Sequence, residues 1–230
     1  AARRGDGTVQ TPLDPDYHEA LGLPIDEGLL TGMLPGYVLD NLTAGGHPEA
    51  QAAFNALHRY ADPAGHYAEY MVYDDLSALQ LVYDPAGGLG DYTARYRPWE
   101  GGIDIDAALG YLLGPLAPSA DADLALRPHL PNGLPWLEAG PLRAGDAVAS
   151  LRLERTRESL PATVRSDADA SFLLQMELPA PADSLDGGSG SLDGQAAGEW
   201  ITLQAGERVL RFDPISLAPG DELLFTAPLR

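Results

Sequence analysis

Two acids stand in settings that could do chemistry. Glu100 lies in a Trp-Glu-Gly-Gly stretch directly before an expected helix, where the positive end of the helix dipole keeps a carboxylate ionised. An ionised carboxylate suits a general base. Capping of that helix, or a pair with nearby Arg97, would account for the same residue without catalysis. Glu69 is the second candidate, within HYAEY. There His66, Tyr67 and Tyr70 supply ring surfaces and hydrogen-bond donors around one acid, a crowding that raises a carboxyl pKa and suits a proton donor. A buried Glu bonded to tyrosine hydroxyls is the structural alternative. Asp74 and Asp75, and likewise Asp104 and Asp106, read as helix start signals and are assigned no chemistry.

Other chemistries lack their residues. The five His show no close pair at helical spacing and there is no Cys, so zinc spacings, thiolate sites and disulfides are absent and no metal is expected. There is no G-x-S-x-G, and GGLGD lacks the Lys of a phosphate loop, so neither serine hydrolysis nor a nucleotide or other cofactor is expected. Asp183, Asp186 and Asp193 fall in DSLDGGSGSLDGQAAG. They lack the spacing of a calcium loop, and the composition reads as a flexible surface loop.

Charge narrows the partners. All fourteen basic residues are Arg and oppose 34 acidic ones, for a net charge of -20 and a pI near 4.3. Nucleic acid and anionic membrane surfaces would be repelled. No apolar run is long enough to span a bilayer and the amino terminus lacks a signal-peptide core, while the compartment stays open. The missing initial Met is what a processed, trimmed or excerpted chain would show, and an excerpt is expected.

The elements that must hold the two acids divide by texture. All ten Tyr lie between Tyr17 and Tyr111, in a part where helical spacing recurs. Helices are expected over Pro35–Leu42, over Pro48–Ala61 with Ala50, Ala53, Phe54, Leu57 and Ala61 as its stripe, and over Asp75–Tyr83. A fourth runs from Asp104 or Asp106 to Leu113, with Ile105, Leu109 and Leu112 facing inward. After the linker-like APSADAD, strands are expected over Val148–Leu153, Ser171–Leu178, Glu199–Leu203, Arg208–Phe212 and Glu222–Phe225, spaced as in an antiparallel sandwich.

GHYAEYMV (Gly65 to Val72), RPWEGGIDIDAALGYLLG (Arg97 to Gly114) and LRPHLPNGLPWLEAGPLRAGD (Leu126 to Asp146) resemble the last hairpins and following β-domain of six-hairpin glycoside hydrolases. The resemblance implies an α+β chain in two segregated parts. Residues 1–121 would be helical hairpins of an α/α toroid, incomplete here, and residues 122–230 a β-sandwich-like domain. It further implies hydrolysis of an oligo- or polysaccharide between paired carboxylic acids, with the upstream part of the same polypeptide completing the toroid. Glu100 and Glu69 would be the catalytic pair, and Trp99, Tyr67, His66 and Arg97 would bind sugar by stacking and hydrogen bonds. Ordinary core packing of Trp99, and a noncatalytic carbohydrate-binding or structural module, remain the alternatives.

Overall fold

A computed structural model describes residues 2–3, 9–10, 29–61, 63–67, 70–72, 98–117, 120–180 and 189–229. The chain divides into two compact units, residues 1–44 with 49–109, and residues 45–48 with 110–230.

In the first unit, β1 (Ala2–Arg3) pairs with β2 (Val9–Gln10), and β3 (Leu29–Thr31) with β4 (Tyr70–Val72), both antiparallel. The described helices are α1 (Leu34–Gly45), α2 (Ala50–Leu57) and α3 (Pro98–Leu113), whose last turn belongs to the second unit. These three helices do not show a toroid of hairpins. The helix expected over Asp75–Tyr83 lies outside the described residues, as do Glu69 and Arg97.

Helix α2 keeps its apolar stripe, with Ala50, Ala53, Ala56 and Leu57 buried. It ends before the expected Ala61, which instead makes an isolated antiparallel bridge with Tyr67. Helix α3 corrects two expectations. It begins at Pro98, a residue suited to a first helical position because the missing N–H has no partner there anyway. Gly101 and Gly102 therefore lie inside the helix rather than ahead of it. The buried face is also not the aliphatic one: Ile105 and Leu109 are 58% and 50% exposed, whereas Glu100, Asp104, Ala107 and Tyr111 are buried. Those four positions recur at i, i+4, i+7 and i+11, one face of a helix.

The second unit is β-sandwich-like. One sheet has the order β11-β10-β15-β8-β7-β6, from β6 (Trp136–Ala144), β7 (Ala147–Glu154), β8 (Ser159–Ser166), β10 (Ser191–Leu192), β11 (Gln195–Ala196) and β15 (Glu222–Pro228). All its pairs are antiparallel. In the other sheet, β9 (Phe172–Pro179) pairs antiparallel with β13 (Arg208–Arg211) and β14 (Ile215–Leu217). Strand β12 (Glu199–Thr202) extends it antiparallel to β13, and β5 (Leu124–Leu126) pairs with β9 in parallel.

Period-two burial builds the core between the sheets. Ala147, Ala149, Leu151 and Leu153 of β7 point inward, as do Leu160, Ala162 and Val164 of β8 and Leu174, Met176 and Leu178 of β9. Phe212, which directly follows β13, and Phe225 of β15 meet edge to face with ring centroids 5.1 Å apart. Each wholly buried large side chain contributes about 1.5–3 kcal/mol relative to exposure. Beside this core, Glu177 accepts from Arg127 Nε and Arg211 Nε, both at 2.7 Å, so a buried carboxylate meets two cations.

Strands β6 and β8 escape sequence reading because each contains a proline. Pro141 falls where β6 shifts register, on a strand that ends the sheet and so has one pairing side to lose. The supposed flexible loop is also corrected over residues 191–196. Asp193 and Gly194 take positive φ of 46° and 79° and turn β10 into β11, the conformation that a two-residue Asp-Gly hairpin turn requires. Asp193 Oδ1 accepts from the Leu224 amide at 2.9 Å, while Asp183 and Asp186 lie outside the described residues.

Phe225→Ala should lower unfolding stability by about 3–5 kcal/mol, whereas Leu224→Ala, at a position 41% exposed, should cost less than about 0.5 kcal/mol. Urea unfolding measures both. Equal losses would mean that the two sheets do not share this core.

Candidate active site

Helix α3 and the first turn of α1 place an acid pair inside the first unit. Glu100 and Asp104 stand one turn apart on α3, at 0% and 1% exposure. Residues at this spacing have Cβ atoms roughly 5–6 Å apart. Gly36, the third residue of α1, is what lets the two helices approach. A Cβ built on it would lie 2.5 Å from Asp104 Oδ1 and 3.0 Å from Asp104 Cα. Any side chain at residue 36 would therefore push backbone as well as carboxylate.

The electrostatics of Asp104 follow from this packing. Burial is the largest influence and raises its carboxyl pKa, the Gly36 amide at the positive end of α1 lowers it, and the Glu100 charge raises it again. The result is a shift from the ordinary 3.8 to about 7. Neither Asp104 oxygen completes a hydrogen bond among the described residues, so desolvation prevails over the amide's pull. A group in that state carries its proton close to neutrality.

Tyr67 adjoins the pair. Its ring lies against Gly101, where a Cβ would stand 3.6 Å from Cδ2. Burial raises the Tyr67 phenol pKa, and the negative charge of Asp104 raises it further, so the hydroxyl keeps its proton and remains a donor. Trp99 is 57% exposed, and His66 is exposed. Of the residues singled out from sequence, the structure buries Glu100 and sets Tyr67 against the same helix at Gly101, leaves Trp99 and His66 at the surface, and does not describe Glu69 or Arg97.

Sequence reading missed Asp104 and Gly36. The signal for Asp104 was its spacing of four from Glu100 in WEGGIDID, hidden by taking the two glycines as lying ahead of the helix. Gly36 carried no such signal, since a close approach between helices distant in sequence leaves no local pattern.

No protein-family model matches the sequence, and no curated protein sequence matches it. Among solved structures, the chain is similar to a Streptomyces avermitilis alpha-L-rhamnosidase complexed with L-rhamnose, with a TM-score of 0.43 and 14% identity over 84% of this chain and 17% of that one. It is also similar to a GH127 beta-L-arabinofuranosidase from Geobacillus stearothermophilus T6, with a TM-score of 0.36 and 15% identity over 83% of this chain and 28% of that one. Both neighbours are glycoside hydrolases. The chain spans less than a third of the length of either.

Because the Asp104 pKa is raised on folding, the folded chain holds a proton between about pH 4 and 7 that the unfolded chain has released. Stability should therefore fall as pH rises through that window. Asp104→Asn should flatten the dependence and be the more stable form at pH 8, by an amount on the order of a few kcal/mol. Denaturant titrations from pH 4 to 8 test this, and an unchanged slope in the variant would refute it. Gly36→Ala should destabilise by about 1–3 kcal/mol through overpacking against Asp104, as read by the same titrations at one pH.

Proposed function

We propose that this chain is the carboxy-terminal portion of a glycoside hydrolase of the six-hairpin kind. Residues 1–121 would contribute helical hairpins to an α/α toroid completed by upstream polypeptide, and residues 122–230 the β-sandwich-like domain that follows. The observation that carries the reading is the acid pair on α3, whose members sit one turn apart with Asp104 holding its proton up to about pH 7.

Glycoside hydrolysis needs one acid that carries its proton and one that does not. One carboxylic acid gives its proton to the leaving oxygen, and one carboxylate either takes a proton from the attacking water or attacks the anomeric carbon itself. Asp104 suits the first role and Glu100 the second, with Tyr67 as a donor beside them. Glu69 remains a further candidate proton donor. His66, Arg97 and exposed Trp99 would hold the sugar, the last by stacking.

Two observations favour a second reading, a noncatalytic carbohydrate-binding module. Both acids are buried, whereas an acid that acts on a glycosidic bond must be open to the sugar. A cavity of about 410 Å³ in the second unit is lined by Ser189, Ala197, Trp200 and Leu210 among others, a size and lining that fit a small saccharide against an indole.

The discriminating experiment uses the full-length parent protein on a panel of aryl glycosides and oligosaccharides. Glu100→Gln should lower turnover at least about 100-fold while saccharide binding is retained, and Trp200→Ala should leave turnover intact. Turnover within a few-fold of wild type in the Glu100 variant would remove Glu100 from the catalytic pair; no turnover in any form would overturn the hydrolase assignment, and saccharide binding lost in the Trp200 variant would then establish the binding module.

A further inference from the structure

A second buried polar cluster lies in the second unit, apart from the acid pair. His129 is 5% exposed and Glu207 8%. The two imidazole nitrogens both face acceptors: Nδ1 lies 2.9 Å from the Tyr111 carbonyl oxygen and Nε2 lies 2.9 Å from Glu207 Oε1.

Hydrogen-bond valence then fixes the protons. A carbonyl oxygen can only accept, so Nδ1 carries a hydrogen and donates it. At Nε2 a bond to a carboxyl oxygen exists only if one more proton lies between them, on the ring as imidazolium or on Glu207 as carboxylic acid. Without that proton a nitrogen lone pair would face a buried carboxylate oxygen, two acceptors in contact with no donor.

The cluster ties down particular backbone. His129 donates from its own amide to the Leu112 carbonyl at 3.2 Å as well as from Nδ1 to Tyr111. It therefore satisfies two of the last carbonyls of α3, where a positive charge is also favoured by the dipole. Glu207 stands in the turn between β12 and β13, with its amide donating to the Gly46 carbonyl at 2.9 Å. The Tyr111 ring stacks on His129 at 4.4 Å between centroids. Burial and then the negative charge of Glu207 raise the Tyr111 phenol pKa, and the Arg155 guanidinium lowers it. Arg155, which donates to the Leu130 carbonyl at 2.6 Å, and Tyr111 are ionisable groups beside the pair.

We propose that His129 and Glu207 share one proton that acts as a pH-dependent clamp, joining the last turn of α3 to the β12–β13 turn while the pair is protonated and releasing it when that proton is lost. The sign follows: the clamp is closed in acid and opens as pH rises, because deprotonation leaves the buried acceptors face to face.

Glu207→Gln isolates the proton. The glutamine amide can donate to a neutral Nε2 while Nδ1 still donates to Tyr111, so both hydrogen bonds survive with nothing to titrate. Thermal unfolding of the 230-residue chain and its Glu207→Gln form is compared from pH 6 to pH 10, a comparison in which the Asp104 proton is common to both forms and cancels. Wild type should lose ground to the variant by on the order of several degrees across that range, and a difference that does not change with pH would overturn the clamp. Should the variant fail to fold, nitrogen-15 NMR of the wild-type imidazole decides. Nδ1 should stay protonated throughout while Nε2 passes from hydrogen-bonded to bare in alkali, and an Nε2 already bare at neutral pH would refute the shared proton.

Discussion

Removal of the period-two apolar stripes from water is the constraint on which the second unit depends. Leu151 and Leu153 in one sheet, and Leu174, Met176 and Leu178 in the other, are wholly buried, and none could be so unless the sheets faced each other. A one-residue slip would turn every one of these side chains outward. Register is thus fixed by the core. The ion cluster at Glu177 follows, because Glu177 and Arg211 are register partners on β9 and β13.

Helix α3 shows the opposite case, where packing sets aside the ordinary arrangement of polar and apolar faces. Two carboxyl groups are buried while Ile105, Leu109 and Trp99 face solvent. Burying a carboxylate away from water is costly, and taking up a proton is the milder response. That is why Asp104 is pushed up toward neutrality although a helix N-terminus approaches it. The same physics recurs at His129 and Glu207, where two acceptors brought together in a dry interior demand a proton between them. In both places a chemical property arises from confinement rather than from an unusual residue.

Much of the β-rich half was legible in the residues. Strands over 147–154, 172–179, 199–202, 208–211 and 222–228 stand close to where alternation placed them, since a half-buried strand writes its period directly into the sequence. Strand β6 was not legible, because Gly140-Pro141 looks like a break and edge position excuses it only once the sheet order is known. The β10–β11 hairpin carried a local signal in Asp193-Gly194, obscured by the small polar residues around it. Glu100 was legible as an acid near a helix start; its burial was not.

The sequence by itself determined the confinement of tyrosine to the first half, the acidity of the chain, and the positions of five strands of the second unit. These depend on composition and on spacing within a few residues, which any local stretch displays. Only the tertiary structure decided which face of α3 turned inward, that Gly36 would bring α1 against Asp104, and that His129 would meet Glu207 across 78 residues of chain. Each of these requires two segments far apart in sequence to be packed together, and protonation then follows from the water that packing removes.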